Sequence, residues 1–258
     1  MTGRRRRDRF WWLALPLLVA GAGSAFAQTD EIQVYDGELA SPGQFTLTLH
    51  NNFTPSGRHE PDFPGGVIAD HSLNGVPEWA YGVTSWFEAG LYLPVYTRTA
   101  DGHFLFDSVK LRALFAVPGA AERKYFYGVN FEFSYNTAHW DSSRYTAEIR
   151  PIVGVHLGKV TLIANPILDS SFDGPRNLDF APALRAAYTV NERWTIALEN
   201  YADYGPIHRL QATGAREQSL FAVANYAYRG GGVEFGVGHG LNGASDNLVF
   251  KLMLNHDF

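Results

Sequence analysis

The chain has 258 residues, 46% of them hydrophobic, 18% charged and 14% aromatic, with 26 Gly and no Cys, which excludes a disordered or collagen-like polymer. A formal charge of -5, from 21 Lys+Arg against 26 Asp+Glu, provides no basic field for nucleic acid, so none is expected as a partner. Without Cys there is neither a disulfide framework nor a thiolate metal site, and the redox state of the compartment cannot alter the fold.

Arg4, Arg5, Arg6, Arg7 and Arg9 precede an apolar run from Phe10 to Ala22 and the small-residue pattern Ala25-Phe26-Ala27. That order predicts a secretory signal peptide, 1–27, with cleavage after Ala27. The run has 13 residues, too few for a spanning helix, which needs about 20. The arginines also suggest twin-arginine export, but Asp8-Arg9 follows Arg6-Arg7 in place of a clear motif, so ordinary secretion is expected. Loss of five Arg and Asp8 leaves 16 basic and 25 acidic residues, a net charge of -9. Beyond the signal no apolar stretch approaches the length of a transmembrane helix, so any passage through a bilayer must use strands.

From residue 43 onward the dominant signal is alternation with period two, which gives an extended segment one apolar and one polar face. Phe45, Leu47 and Leu49 alternate with Gln44, Thr46, Thr48 and His50; Phe131, Phe133 and Tyr135 with Asn130, Glu132 and Ser134. Trp194, Ile196 and Leu198 alternate with Thr195, Ala197 and Glu199; Leu248, Phe250, Leu252 and Leu254 with Val249, Lys251, Met253 and Asn255. About twelve strands are predicted, over 43–53, 77–83, 87–97, 104–116, 125–135, 144–157, 159–168, 177–188, 193–204, 216–228, 233–241 and 246–258. Connections after the second, sixth, eighth and tenth strands are brief, whereas those at 54–76, 136–143, 169–176 and 205–215 are long and carry Gly, Pro, Asp and Asn. This asymmetry is that of short periplasmic turns and longer outer loops. The connection 117–124 is an exception, since it should be periplasmic yet is not tight.

Alternation alone does not distinguish a soluble sandwich or lipocalin-like barrel from a transmembrane one. Three features favour the membrane: the export signal without Cys, the aromatic load and the chain end. Trp79, Tyr81, Tyr96, Tyr125, Tyr127, Tyr188, Trp194, Tyr226 and Tyr228 fall near strand ends, as interfacial girdles do, with ordinary cross-strand packing as the alternative. The last strand stops on Phe258 and resembles the C-terminal assembly signal of Gram-negative outer-membrane barrels; His256 and Met253 depart from that pattern. The expected fold is therefore all-β, a closed antiparallel up-and-down transmembrane β-barrel over 43–258 in a Gram-negative outer membrane, preceded by a periplasmic N-terminal segment, 28–42. Its partners would be outer-membrane lipid, the barrel-assembly machinery and an unidentified small solute; no cofactor is expected.

Four stretches, Ile32-Gln33-Val34-Tyr35-Asp36-Gly37-Glu38, Gly43-Gln44-Phe45-Thr46-Leu47-Thr48-Leu49-His50-Asn51-Asn52, Tyr81-Gly82-Val83-Thr84 and Glu88-Ala89-Gly90-Leu91-Tyr92-Leu93-Pro94, resemble a family of proteobacterial outer-membrane barrels labelled as transporters of the meta-cleavage pathway of phenol degradation. The resemblance covers the first third of the mature chain. It implies passive passage of a small aromatic or hydrophobic compound, and it implies no catalytic residues.

In a barrel of this orientation, Glu78, Glu88, Lys110, Arg112, Glu132, Glu148, Arg150, Arg185, Glu199, Asp203, Glu234 and Lys251 would line the lumen. Opposed charge rows can orient a solute, or they can pair and fill the interior. Twelve strands lie between barrels filled by side chains and barrels that leave a channel. Gly90, Gly128, Gly154, Gly236, Gly238 and Gly240 share the lumen parity and would free volume inside or let strands bend. The segment from Gln28 to Pro42, acidic at Asp30, Glu31, Asp36 and Glu38, has two readings: a partial plug folded into the lumen, or a flexible leader. His59, His71, Asp62 and Asp70 in the first long loop, with His50 just before it, carry metal-ligand chemistry without a regular spacing, so a solvated loop is expected. An outer-membrane lipid hydrolase would need a Ser beside an oriented His, and Ser134 with His139 or His156 has no flanking motif. A channel is expected, with a non-conducting, surface-binding barrel as the competing reading.

Overall fold

A computed structural model describes residues 31–258; the expected signal peptide lies outside the described residues. Fourteen strand segments follow one another: β1 (Phe45–Ser56), β2 (Leu73–Thr84), β3 (Phe87–Arg98), β4 (Phe104–Ala116), β5 (Tyr125–Asn136), β6 (Tyr145–Leu157), β7 (Val160–Asn165), β8 (Leu168–Ser170), β9 (Asp179–Phe180), β10 (Ala183–Thr189), β11 (Trp194–Ala202), β12 (Gln218–Tyr228), β13 (Gly231–Gly240) and β14 (Leu248–Asp257). They make twelve staves. β7 with β8 is one stave broken at Pro166, and β9 with β10 is another broken at Pro182, because a proline has no N–H to give to a ladder.

Every stave pairs antiparallel with its neighbours, and β1 pairs with β14 from Thr46↔Asp257 to Ser56↔Leu248, so the sheet closes on itself. Closure is what a bilayer demands, since an open edge in hydrocarbon leaves polar backbone groups unsatisfied at several kcal/mol each. β2 starts at Leu73 rather than 77, and the first outer loop is correspondingly shorter. Gly75-Val76-Pro77 breaks the alternation there, and the pairing with β3 shifts register between Gly75 and Glu78.

Side-chain direction is apolar outward and ionic inward. On β5, Tyr125, Tyr127, Phe131, Phe133 and Tyr135 are exposed, while Phe126, Asn130, Glu132, Ser134 and Asn136 are buried. Leu111, Leu198, Phe235 and Leu252 continue the outer belt on other strands. Tyr81, Tyr125, Tyr127, Tyr188, Trp194 and Tyr228 are exposed on the outer surface, and rings also pair across strands, Trp194 with Tyr226 at 4.9 Å and Phe45 with Tyr81 at 4.6 Å. Tyr96 is tied down, stacked on Phe104 at 5.1 Å and donating its hydroxyl to Asn51 Oδ1 at 2.8 Å.

Gly90, Gly154, Gly236 and Gly238 make room for large neighbours, whereas Gly128 and Gly240 lie against backbone. A Cβ at Gly154 would strike the Phe126 ring, and one at Gly238 the Phe221 ring. The freed space is therefore filled. Phe126, Leu114, Ile152, Ile163 and Ala120 form an apolar cluster inside the barrel. Ala120 comes from the atypical connection 117–124, which turns inward instead of closing tightly.

Candidate functional site

The lumen is occupied by the chain's own N-terminal segment. At the rim, Gly43 takes a left-handed φ of 85°, donates to Gly82 O at 2.7 Å and is followed by Gln44, whose carbonyl accepts from Gly82 N at 3.0 Å. Upstream of this clamp the chain turns inward. Val34 and Tyr35 are buried and join the interior cluster that also contains Ala120. Of the two readings of this segment, residues 31–41 adopt the plug.

Tyr35 is its centre. Its N–H donates to Asn165 Oδ1 at 2.7 Å, its carbonyl accepts from Asn165 Nδ2 at 3.0 Å, and its hydroxyl meets that of Tyr92 at 2.5 Å. Its ring lies 4.6 Å from the Arg150 guanidinium and 5.6 Å from that of Arg112, an arrangement that favours the cations electrostatically. The carbonyl of Ile32 accepts from Lys251 Nζ at 3.2 Å and that of Gln33 from Arg150 at 3.2 Å. Ala40 N–H donates to Glu88 at 2.5 Å.

The wall charges gather in three groups around this segment. Arg112 bridges Glu78 at 2.8 Å and Glu88, and Glu78 also meets His50 at 3.0 Å. Arg150 binds Glu148 at 2.6 Å and Glu31 at 3.4 Å. Lys251 lies 2.6 Å from Glu199 and 2.5 Å from Glu234, both of which also bind Arg185. Such pairs survive burial because each charge has a hydrogen-bonded counter-charge; removal of one partner is costly. Of the twelve charged residues expected in the lumen, Glu78, Glu88, Lys110, Arg112, Glu132, Arg150, Glu199, Asp203, Glu234 and Lys251 are buried, and Glu148 and Arg185 half-buried. Asp203 stands just beyond β11, at the outer mouth.

Between the plug and the outer loops is a cavity of about 140 Å³. Glu31, Ile32 and Gln33 of the plug contribute to its wall, together with Lys110, Glu132 and Arg150. Part of the lining is apolar, formed by Phe221 and Val249 of a buried cluster against which Ile32 and Tyr201 pack. The rest is rich in carboxylates, including Asp141, Asp169, Asp203, Glu217 and Asp246.

The outer loops are tied across this cavity. Arg58 of the first loop binds Asp62 within it, Glu217 at 2.6 Å and Asp246 at 3.4 Å. Val67 N–H donates to His139 O at 3.1 Å, and Trp140 packs on Val76, Tyr92 and Val95. Burial pushes the Glu217 carboxyl up to about 8 despite the opposing Arg58 charge, and Asp203 to about 7 despite the Gly205 N–H that favours its charged form.

The metal-ligand and catalytic groupings come together only in part. His59 and His71 both address Asp70, at 3.3 and 2.7 Å, while Asp62 is held by Arg58 and His50 faces the lumen. Among the described residues no three His, Asp or Glu side chains gather as a metal site. Ser134 is in the cavity wall, whereas His139 binds Asp107 and Thr137, and His156 binds Thr161.

A closed twelve-stave barrel with a lipid-facing apolar belt and an ionic interior is an outer-membrane β-barrel. Its fold is similar to that of an outer membrane channel from Pseudomonas putida F1, with 13% identity, a TM-score of 0.56, and coverage of 88% of this chain and 100% of that one. NanC porin is similar at 10% identity and TM-score 0.54, over 81% of this chain and 98% of that one. KdgM porin, solved in complex with disordered oligogalacturonate, is similar at 7% identity and TM-score 0.53, over 83% and 99%. The likeness is one of fold. No protein-family profile matches the sequence, and no curated protein matches it.

Sequence reasoning missed Tyr35 and Asn165, Trp140, and the Arg58 cluster. Asn165 alone carried a usable signal: a polar residue that directly precedes a proline at the end of the run Val160-Thr161-Leu162-Ile163-Ala164.

Proposed function

We propose that the protein is a passive channel of the Gram-negative outer membrane for a small solute with an apolar or aromatic body, shut in this conformation by residues 31–41. The observation that carries this reading is the cavity of about 140 Å³ between the outer loops and the plug. Its floor belongs to a segment that can leave without breaking any strand pairing. A cavity of about 150 Å³ admits a benzene-sized molecule, and the Tyr201, Phe221 and Val249 wall suits the aromatic or hydrophobic compound implied by the family resemblance. Lipid against the outer belt, and barrel-assembly machinery acting on the last strand, are the partners this reading carries.

Planar-bilayer recording of the refolded protein tests it. Steady unit currents are expected, altered by substitution of Arg112 or Glu132 and enlarged by deletion of residues 28–41. The dense pairing of the wall charges favours one rival, a non-conducting barrel that presents its outer loops. A well-inserted deletion variant that stays silent would establish that rival and end the channel reading.

A further inference from the structure

We propose that the cavity above the plug is a binding site for a small organic cation, an ammonium carried on an aromatic or alkyl body, rather than for a neutral or acidic compound of the same shape. This rests on the channel reading and names the chemical class of its solute.

The charge around the cavity is one-sided. Eight carboxylate residues line it against two cationic ones, Lys110 and Arg150. Arg150 is already committed to Glu148, to Glu31 and to the Gln33 carbonyl. Arg58, at the outer edge, is committed to Asp62, Glu217 and Asp246. The lining thus holds more carboxyl groups than its own cations pair.

Unused acceptors supply a second, independent observation. The Glu31 side chain is only 2% exposed and meets Arg150 through Oε1, while its Oε2 has no hydrogen-bond partner; nor has Oε1 of the half-buried Gln33 beside it in the plug. Both residues line the cavity. A buried acceptor without a donor costs free energy that a ligand N–H can recover, and an ammonium brings up to three donors with a matching charge. A carboxylate ligand would bring acceptors only and would leave both oxygens unpaired.

The apolar side supplies the other half of recognition. Ile32, Ile167, Ala181, Tyr201, Phe221 and Val249 offer a surface for a ring or short alkyl body, burying apolar area away from water. Acceptors on the plug and the apolar part of the lining define a ligand with one charged donor end and one apolar end. Because Glu31 and Gln33 belong to the plug, the ligand would meet the gate itself.

The test uses the full-length mature protein, refolded in detergent, titrated calorimetrically with benzylammonium, benzyl alcohol and benzoate, which share a ring and differ in the charge of the substituent. Saturable binding of benzylammonium is expected, at least roughly tenfold tighter than benzyl alcohol, as one charge-assisted hydrogen bond provides, with no binding of benzoate. Glu31→Gln and Asp203→Asn should each weaken benzylammonium while leaving benzyl alcohol unchanged. Equal affinity for the three compounds, preference for benzoate, or no binding of benzylammonium overturns the proposal, whether or not either variant folds. Conductance in potassium chloride is read separately: a barrel that conducts, with or without residues 28–41, but ignores benzylammonium sinks this inference alone, and a barrel that stays silent even after deletion of residues 28–41 sinks the channel reading.

Discussion

Tyr35 and Asn165 hold one another by two hydrogen bonds, the Tyr35 N–H to Oδ1 at 2.7 Å and the Asn165 amide to the Tyr35 carbonyl at 3.0 Å. One side chain on the wall thus satisfies both backbone groups of one residue in the plug, at a sequence separation of 130. Replacing Asn165 by Ala removes both bonds. At a net value of about 1 kcal/mol each, the plug's equilibrium shifts toward release by roughly thirtyfold. Longer open times in bilayer recordings are expected, with the heat-modified gel shift retained; unchanged gating would show that Tyr35 does not hold the gate.

Arg112 stands between Glu78, Glu88 and the Tyr35 ring. Arg112→Met should destabilise the barrel by about 3–5 kcal/mol, since two buried carboxylates lose their counter-charge. Adding Glu78→Gln and Glu88→Gln should recover much of that loss. The readout is the temperature at which the folded band disappears on a gel; a single variant as stable as wild type would mean that water reaches these carboxylates freely.

Gly238 faces the Phe221 ring so closely that no Cβ fits between them. Gly238→Ala is expected to cost about 1–3 kcal/mol through overpacking, and Phe221→Leu in the same chain should restore folding. Failure of that rescue would place the strain in the backbone of β13 instead.

Acid should reduce the negative charge of the outer mouth. Glu217, pushed up to about 8, faces Arg58, Asp62, Asp246 and Asp203; Asp203, at about 7, faces Asp179 and the Gly205 N–H. A carboxyl whose pKa is raised is neutral below that value and charged only above it. Preference for potassium over chloride should therefore fall as the pH drops from about 9 to about 6. Reversal potentials across a salt gradient measure this, and Glu217→Gln with Asp203→Asn should flatten the dependence.

The staves were legible because a closed sheet with lipid outside and charge inside imposes period two on nearly every residue it contains. Where the sequence misled, a local backbone feature had broken that rhythm: Pro77 and the register shift in β2, Pro166 between β7 and β8, and Pro182 between β9 and β10. Lys110, Glu132 and Lys251, which parity sets on the polar face, are buried. The plug was not legible in that way, since residues 31–41 have no repeat and their partners lie far along the chain, Glu88 for Ala40, Asn165 for Tyr35 and Lys251 for Ile32. Trp140 and Arg58 escaped for the same reason, as loops carry no periodicity that reports what they cover.

The seam between β1 and β14 also bears on the order of biogenesis. Hydrogen bonds that complete the ring join β1 to β14, so the cylinder stays open until β14 has been delivered. The Gly43 clamp on Gly82 sits beside that seam, where the stopper can lie against the unfinished wall and be enclosed as the two edges meet. In that order no threading through a finished hole is required.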